Sequence, residues 1–598
     1  MSEKFTSLVD MQIRSCETYA GNQLFGTKRN GVYQWITYAE FARRVAAFRA
    51  ALVSLGVQRG DKVAAIANNS VEWAVGAYAT YSIGAHYVPM YEAQLPKEWE
   101  YILNDSGAVL LLVSTEDIYD KVSSFIGKVG NLRHIVVFYA DSSKDYSYER
   151  HLEHGEANPV DPYYPESDEV AGLIYTSGTT GNPKGVVLSH GNFCSNINAV
   201  QDIFPMSQED TSCSFLPWAH SFGQTVELHV LLSTGAAIGI AESVHTLLDN
   251  FGEIRPTLLF AVPRIFNRIY DGLQKRMANE KPVKRMMFER GMAVAKRKRE
   301  LAENGQQSAW VNFQYDMFDK IVFSKVKERF GGRLRYAFSG GAALSKEVGT
   351  FIDDIGILVF EGYGLTETSP IATANTPAGR RLGTIGKPIP GVSIYICDED
   401  LNLLGPETDG EIVVVGPNVM QGYYNLPDQT AEAIFDLDGE RAFRTGDMGQ
   451  VSKDGFVTIT GRFKEQYKLE NGKYVVPTPL EDDLKLSGFV NQAFVFGDNK
   501  VYNIALIVPD FDALSGWAKE NNISDVSPDG LARNPQCHAR IGEEIARYSK
   551  SWKGYEKVQK WALLTEDFTT ENNLLTPKMS VKRRNVIAAY TDIIESLY

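Results

Sequence analysis

Between Thr37 and Leu188 the chain alternates helical and extended patterns, and that alternation constrains the fold more than any other feature. Thr37 and Glu40 stand in capping-box spacing ahead of an apolar stripe of Phe41, Val45, Phe48, Leu52 and Leu55, and Gly56 closes the helix. A short apolar strand (Lys62 to Ala67), a helix (Val71 to Tyr81), a further helix from Lys97 and a strand (Val109 to Val113) continue the pattern. Crossing helices of this length join parallel strands, so the pattern predicts α/β layering around a largely parallel sheet.

Asp141 to Glu169 is polar and rich in proline, a connection leading to two more buried strands, Val170 to Tyr175 and Gly185 to Leu188. Thr257 to Val262 and Leu334 to Phe338 read as strands separated by a basic helical insertion. From Val392 to Gly461 short strands with Gly/Asp turns, such as Gly410 to Val415 and Gly455 to Thr460, predict a small β-rich subdomain. At 598 residues the chain exceeds what one core organises. The expected class is α/β, a large N-terminal domain of layered sheets over residues 1–461 and a small mobile α+β domain over 462–598.

Five scattered cysteines, an odd number without metal-ligand spacing, fit free thiols in a reducing compartment. No run reaches the roughly 18 apolar residues of a membrane span, and Met1 to Arg14 lacks the apolar core of a secretory signal, so a cytoplasmic location is expected. A net charge of −14 argues against a nucleic-acid partner. The local exception is residues 275–299, where ten Lys and Arg face Glu280 and Glu289 with methionines interleaved. Such a segment suits peripheral contact with an anionic inner-membrane surface; the alternative is a solvated helical insertion whose methionines pack inward. The sequence sets no oligomeric state.

Chemistry concentrates first in Tyr175-Thr176-Ser177-Gly178-Thr179-Thr180-Gly181-Asn182-Pro183-Lys184-Gly185. Glycines let backbone N–H groups approach an anion, hydroxyls add donors around a tetrahedral phosphate, and Lys184 adds charge. Gly185 after that lysine excludes a P-loop. The full string resembles the phosphate-binding segment of the acyl-adenylate-forming (AMP-binding) enzymes, and within them the long-chain fatty acyl-CoA synthetases.

The resemblance extends along nearly the whole chain. In Glu361-Gly362-Tyr363-Gly364-Leu365-Thr366-Glu367-Thr368 it implies Tyr363 stacked on adenine, Thr366 at the α-phosphate and Glu367, with Thr176, on Mg²⁺. Ser339-Gly340-Gly341-Ala342 resembles the turn along the adenine, giving Gly341 and Ala342 as contacts. In Arg444-Thr445-Gly446-Asp447 the aspartate is implied to accept the ribose hydroxyls. Gly461-Arg462-Phe463-Lys464 resembles the interdomain hinge, with Arg462 near ribose and phosphate and Lys464 at the pivot.

Leu216-Pro217-Trp218-Ala219-His220-Ser221-Phe222-Gly223 resembles the acyl-pocket segment, where His220 positions the carboxylate or shapes the pocket. The activity implied is ATP-dependent: a long-chain fatty acid attacks the α-phosphorus, pyrophosphate leaves, and CoA then takes the acyl group from the adenylate. Medium-chain or aromatic acids stay open as substrates. So do a fatty acyl-AMP ligase serving a carrier protein and an acyl or nucleotide sensor without turnover. One departure stands out: Ser580 occupies the position where related enzymes carry a lysine that enters the site during adenylation. Lys578 and Lys582 flank it two residues away; along an extended segment both point to the same side, so either could deliver the charge, and Lys578 is taken first as the catalytic residue.

Overall fold

The computed structural model describes residues 4–176, 182–278, 280–462, 466–576 and 580–598. The expected helices form where the apolar periodicity places them. Tyr38–Ser54 begins at Thr37, whose hydroxyl accepts the Glu40 N–H, and ends before Gly56 at φ 78°. Val71–Tyr81 is capped by Ser70 and buried along its whole length, which its apolar composition requires.

The layered sheets are present: among the described residues the parallel strands divide between two sheets. In the first, Val170–Thr176, His86–Met90, Lys62–Ile66, Leu110–Val113 and His134–Val137 run parallel in that spatial order. Lys184–Ser189 and Gly422–Tyr423 then extend it antiparallel. In the second, Leu358–Gly364, Tyr336–Ser339, Leu258–Ala261, Thr211–Ser214, Ala237–Ile240 and Gln23–Arg29 are parallel, with antiparallel strands added at both edges. Short return loops allow antiparallel edges where no crossover helix is available, which periodicity alone does not reveal. Trp73, Trp218, Tyr78 and Tyr87 fill the large core between the layers.

The β-rich subdomain is a five-stranded antiparallel sheet built on Glu440–Val451. Beyond it, Val490–Phe496, Asn503–Pro509 and Val558–Leu563 form a three-stranded sheet with its own apolar clusters, the mark of a separate small domain.

Candidate active site

Strand Leu358–Gly364 delivers the central segment. Its pairing with Ile371–Ala374 is irregular at Tyr363 and Gly364. A Cβ on Gly364 would lie 1.6 Å from the Pro370 carbonyl oxygen, so only glycine lets the two strands approach this closely. The Tyr363 hydroxyl donates to Asp447 Oδ2 at 2.7 Å. Arg462, directly opposite Asp447 in the antiparallel ladder, places Nε 2.8 Å from Oδ1.

Asp447 is held in place by its own motif. Arg444 pairs with the buried Glu411 at 2.6 Å, and the other Glu411 oxygen takes the Gly446 N–H at 3.0 Å. Thr445 Oγ1 accepts the Asp447 N–H at 3.0 Å. Three of the four motif residues thus shape the backbone that aims the fourth.

On the other side of the central segment, Thr366 Oγ1 lies 3.2 Å from Ser221 Oγ, both buried. This contact joins the segment to the 216–223 stretch. There the Phe222 N–H donates to His220 Nδ1 at 3.0 Å, which leaves the ring proton of neutral His220 on Nε2. Glu367 Oε1 accepts the Tyr423 hydroxyl at 2.9 Å, and Lys184 Nζ sits 4.7 Å from the centre of the same Tyr423 ring. Thr176 is directly opposite Lys184 in the strand pairing, half-buried. Tyr423 therefore links the base of the phosphate loop to Glu367, a role no motif in the sequence signalled.

Between these parts runs a cavity. Its polar lining comes from His220, Ser339, Glu361 and Tyr363, together with Gly341, Gly362 and Gly364; Ala342 follows the turn on the exposed surface. Its apolar lining comes from Val200, Phe204, Met206, Val226, Phe260 and Phe338. Phe260 stacks on Phe338 with centroids 4.7 Å apart, and Phe204 meets Phe338 edge-on at 4.9 Å. Burial pushes the Glu361 carboxyl up to about 7, against the opposing effect of the Gly383 N–H, which it accepts at 3.3 Å.

Ser177, Gly178, Thr179, Thr180 and Gly181 of the phosphate loop, Lys464 of the hinge and Lys578 lie outside the described residues. Among the described residues flanking Lys578, the Thr576 N–H donates to Ser580 O at 2.8 Å, the Lys582 N–H to Leu574 O at 2.8 Å, and Leu575 bridges Val581 antiparallel. Lys582 Nζ is bound to Asn573 Oδ1 at 2.7 Å.

Two family models match this chain: AMP-binding enzyme over residues 15–424 and AMP-binding enzyme C-terminal domain over residues 464–598. The chain belongs to the AMP-binding enzyme family. Within it, the chain groups with the long-chain acyl-CoA synthetases. The long-chain-fatty-acid–CoA ligase FadD15 of Mycobacterium bovis is 33% identical over 579 residues, covering 95% of this chain and 93% of that protein. A crystal structure of the anthranilate CoA ligase AuaEII in complex with anthranoyl-AMP shares the fold at TM-score 0.75 and 19% identity, covering 99% of both chains. The A-PCP didomain of carboxylic acid reductase from Segniliparus rugosus, in complex with AMP, aligns at TM-score 0.77 and 21% identity, covering all of this chain and 82% of that one. As a member of its family this AMP-binding enzyme is an ATP-dependent acid–thiol ligase.

Among the described residues no group of three or more His, Cys, Asp and Glu is arranged to hold a metal ion. Glu367 and Thr176 are hard oxygen donors, and one carboxylate beside substrate phosphates is a donor set that suits Mg²⁺, which keeps several waters and seldom uses an all-protein cage.

Proposed function

We propose that this protein is a long-chain fatty acid–CoA ligase that forms an acyl-adenylate and then an acyl-CoA. The observation that carries the proposal is a cavity lined both by Tyr363, which is hydrogen-bonded to Asp447, and by Phe204, Phe260 and Phe338. That mixed lining suits a nucleotide and an alkyl chain in one cleft. The relatives named as long-chain-fatty-acid–CoA ligases support the same substrate class.

In this reading Tyr363 lies against the adenine with Gly341 and Ala342 nearby, and Asp447 accepts the two ribose hydroxyls. Lys184 and the loop Thr176 to Gly181 hold the phosphates. Mg²⁺ on Glu367 and Thr176 would offset charge on the phosphates as pyrophosphate leaves. The Thr366 hydroxyl donates to an α-phosphate oxygen, and its contact with Ser221 keeps the acyl segment in register with that oxygen. His220 Nε2–H is the donor that orients the attacking carboxylate. An oxygen of that carboxylate forms a bond to the α-phosphorus while the bond to pyrophosphate breaks, giving acyl-AMP. The CoA sulfur then bonds to the acyl carbon and AMP departs, taking the electron pair of the cleaved C–O bond.

Residues 1–461 form the large domain of this scheme and 462–598 a mobile one, pivoting at Lys464 and bringing Lys578 to the phosphates in the first half-reaction. One pivot lets one nucleotide site serve two reactions.

The test is AMP formation with acetate, octanoate, palmitate and an aryl acid, each with free CoA and with a carrier protein. The proposal expects palmitate with free CoA to be preferred. Preference for the aryl acid, or turnover only on the carrier protein, would overturn the substrate or the acceptor respectively.

A further inference from the structure

The basic insertion folds into two helices packed antiparallel, Pro282–Glu303 and Ala309–Phe318, the second continuing through a π-helical turn, Asp319–Phe323. Gly291 faces Phe318 and Phe323, and Lys298 lies 3.7 Å above the Tyr315 ring, so the two helices are fixed against each other. Phe288, Ala295, Val311, Phe318 and Phe323 are buried in the second core cluster or beside it. The inward face is thereby accounted for.

The outward face is unusual. Trp310, Phe313 and Met317 recur at helical spacing and Ile321 extends the row, all exposed; Trp310 retains 65% and Phe313 62% of full accessibility. The two rings stack at 5.8 Å, which leaves one broad aromatic surface in water. Val283 and Met286 on the neighbouring helix are exposed as well. An aromatic row of this kind on a charged helix pair calls for a partner.

Charge identifies that partner. Between residues 281 and 329 there are twelve Lys and Arg against six Asp and Glu, in a chain whose net charge is −14. Lys320 and Lys325 lie exposed beside Met317 and Ile321, and Lys281, Lys284, Arg285, Arg290 and Arg297 are exposed on the first helix. The pairs Lys284–Glu280 (3.1 Å) and Arg285–Glu289 (2.9 Å) are solvent-exposed on their basic side and bind weakly.

We infer that the Trp310, Phe313, Met317 and Ile321 face, with Lys320, Lys325 and the basic first helix, seats the enzyme on an anionic phospholipid surface. Trp and Phe enter the headgroup boundary while the lysines meet phosphates, the combination that holds interfacial helices. This inference stands independently of the ligase reading.

The test is co-sedimentation of the full chain with phosphatidylcholine vesicles, with and without about 30 mol % phosphatidylglycerol, across a salt series. The wild type should partition onto the anionic vesicles and lose binding as salt rises. Trp310→Ala/Phe313→Ala and Lys320→Glu/Lys325→Glu should each weaken anionic binding by about tenfold. All four sites are exposed, so thermal melts should match wild type; if the charge variant misfolds, the wild-type salt series reads the same contribution. Equal partition onto neutral and anionic vesicles, no partition at all, or wild-type binding by the aromatic variant would overturn the inference. So would a wild-type dimer that the aromatic variant converts to monomer with vesicle binding unchanged, since the face would then join two copies of the chain.

Discussion

The Tyr363 hydroxyl donates to Asp447 at 2.7 Å across the junction between the second parallel sheet and the β-rich subdomain. The two residues are far apart in sequence, and each belongs to a segment assigned to one bound nucleotide. In the proposed scheme Tyr363 serves twice, its ring as a surface for the base and its hydroxyl as the orienting partner of the ribose acceptor. Burial and the adjacent Asp447 push the phenol well above its ordinary range, so it donates at every working pH.

Tyr363→Phe keeps the ring and removes only this bond. It should raise KM for ATP about fivefold, in keeping with one hydrogen bond worth about 1 kcal/mol, with little effect on kcat. Asp447→Asn removes a charged acceptor and should lower kcat/KM for ATP about 100-fold. Steady-state kinetics at saturating palmitate checks both, and equal effects of the two variants would contradict the division of roles.

Glu367 and Tyr423 differ in the same way. Glu367→Gln should reduce pyrophosphate release about 100-fold and raise the Mg²⁺ concentration needed for half-maximal rate. Tyr423→Phe removes a 2.9 Å bond to the carboxylate but keeps the carboxylate itself, so the loss should stay near tenfold. A Mg²⁺ titration of pyrophosphate release separates them; an unchanged titration in Glu367→Gln would remove Glu367 from the metal site.

How much of this was legible beforehand depended on whether a residue's role is local. The Thr37 cap, the span Val71–Tyr81 and the strands on either side of the phosphate loop follow from periodicity and capping chemistry, which act within a few residues. Glu361, Tyr363, Asp447 and Arg462 were found as motif residues, and the fold brings Tyr363, Asp447 and Arg462 into direct contact. Tyr423 carries no motif signal, since its position comes from antiparallel pairing with Lys184–Ser189. Lys578 lies outside the described residues, so its place at the site stays with the resemblance that assigned it. Glu227 gave no signal at all: it lies in a fully buried π-helical segment, Gly223–His229, that helical periodicity does not distinguish.

Glu227 accepts the Ser214 hydroxyl at 2.5 Å and the Ser212 hydroxyl at 3.2 Å, and burial pushes its carboxyl up to about 8. Below about pH 4.5 both folded and unfolded chains hold this proton. Between there and about 8 only the folded chain does, so this group's contribution to stability falls as pH rises through that window. His190 and His229, both held low by burial, stop contributing to the slope above about 6.5. Between pH 6.5 and 8 the wild type should therefore lose on the order of 2 kcal/mol relative to Glu227→Gln. Urea midpoints across that range test it; parallel curves for the two proteins would show that Glu227 is ionised in the fold.

Lys578→Ala should abolish adenylation while leaving the second half-reaction, acyl-AMP with CoA to acyl-CoA and AMP, intact, because in the proposed scheme the two half-reactions use different arrangements of the small domain. Lys582→Ala should stay within about twofold of wild type, since its ammonium is bound to Asn573 Oδ1 at 2.7 Å. Separate assays of the two half-reactions check this, and loss of adenylation in Lys582→Ala alone would reverse the assignment.

The central claim is that one cavity brings the α-phosphorus of ATP to the carboxylate of a fatty acid. A single-turnover reaction without CoA, quenched and analysed by mass spectrometry, tests it most directly. With enzyme in excess over ATP and with palmitate and Mg²⁺ present, palmitoyl-AMP and pyrophosphate should appear in equal amounts and persist until CoA is added. Binding of ATP and palmitate with neither product formed would contradict the account and leave a sensor in place of an enzyme.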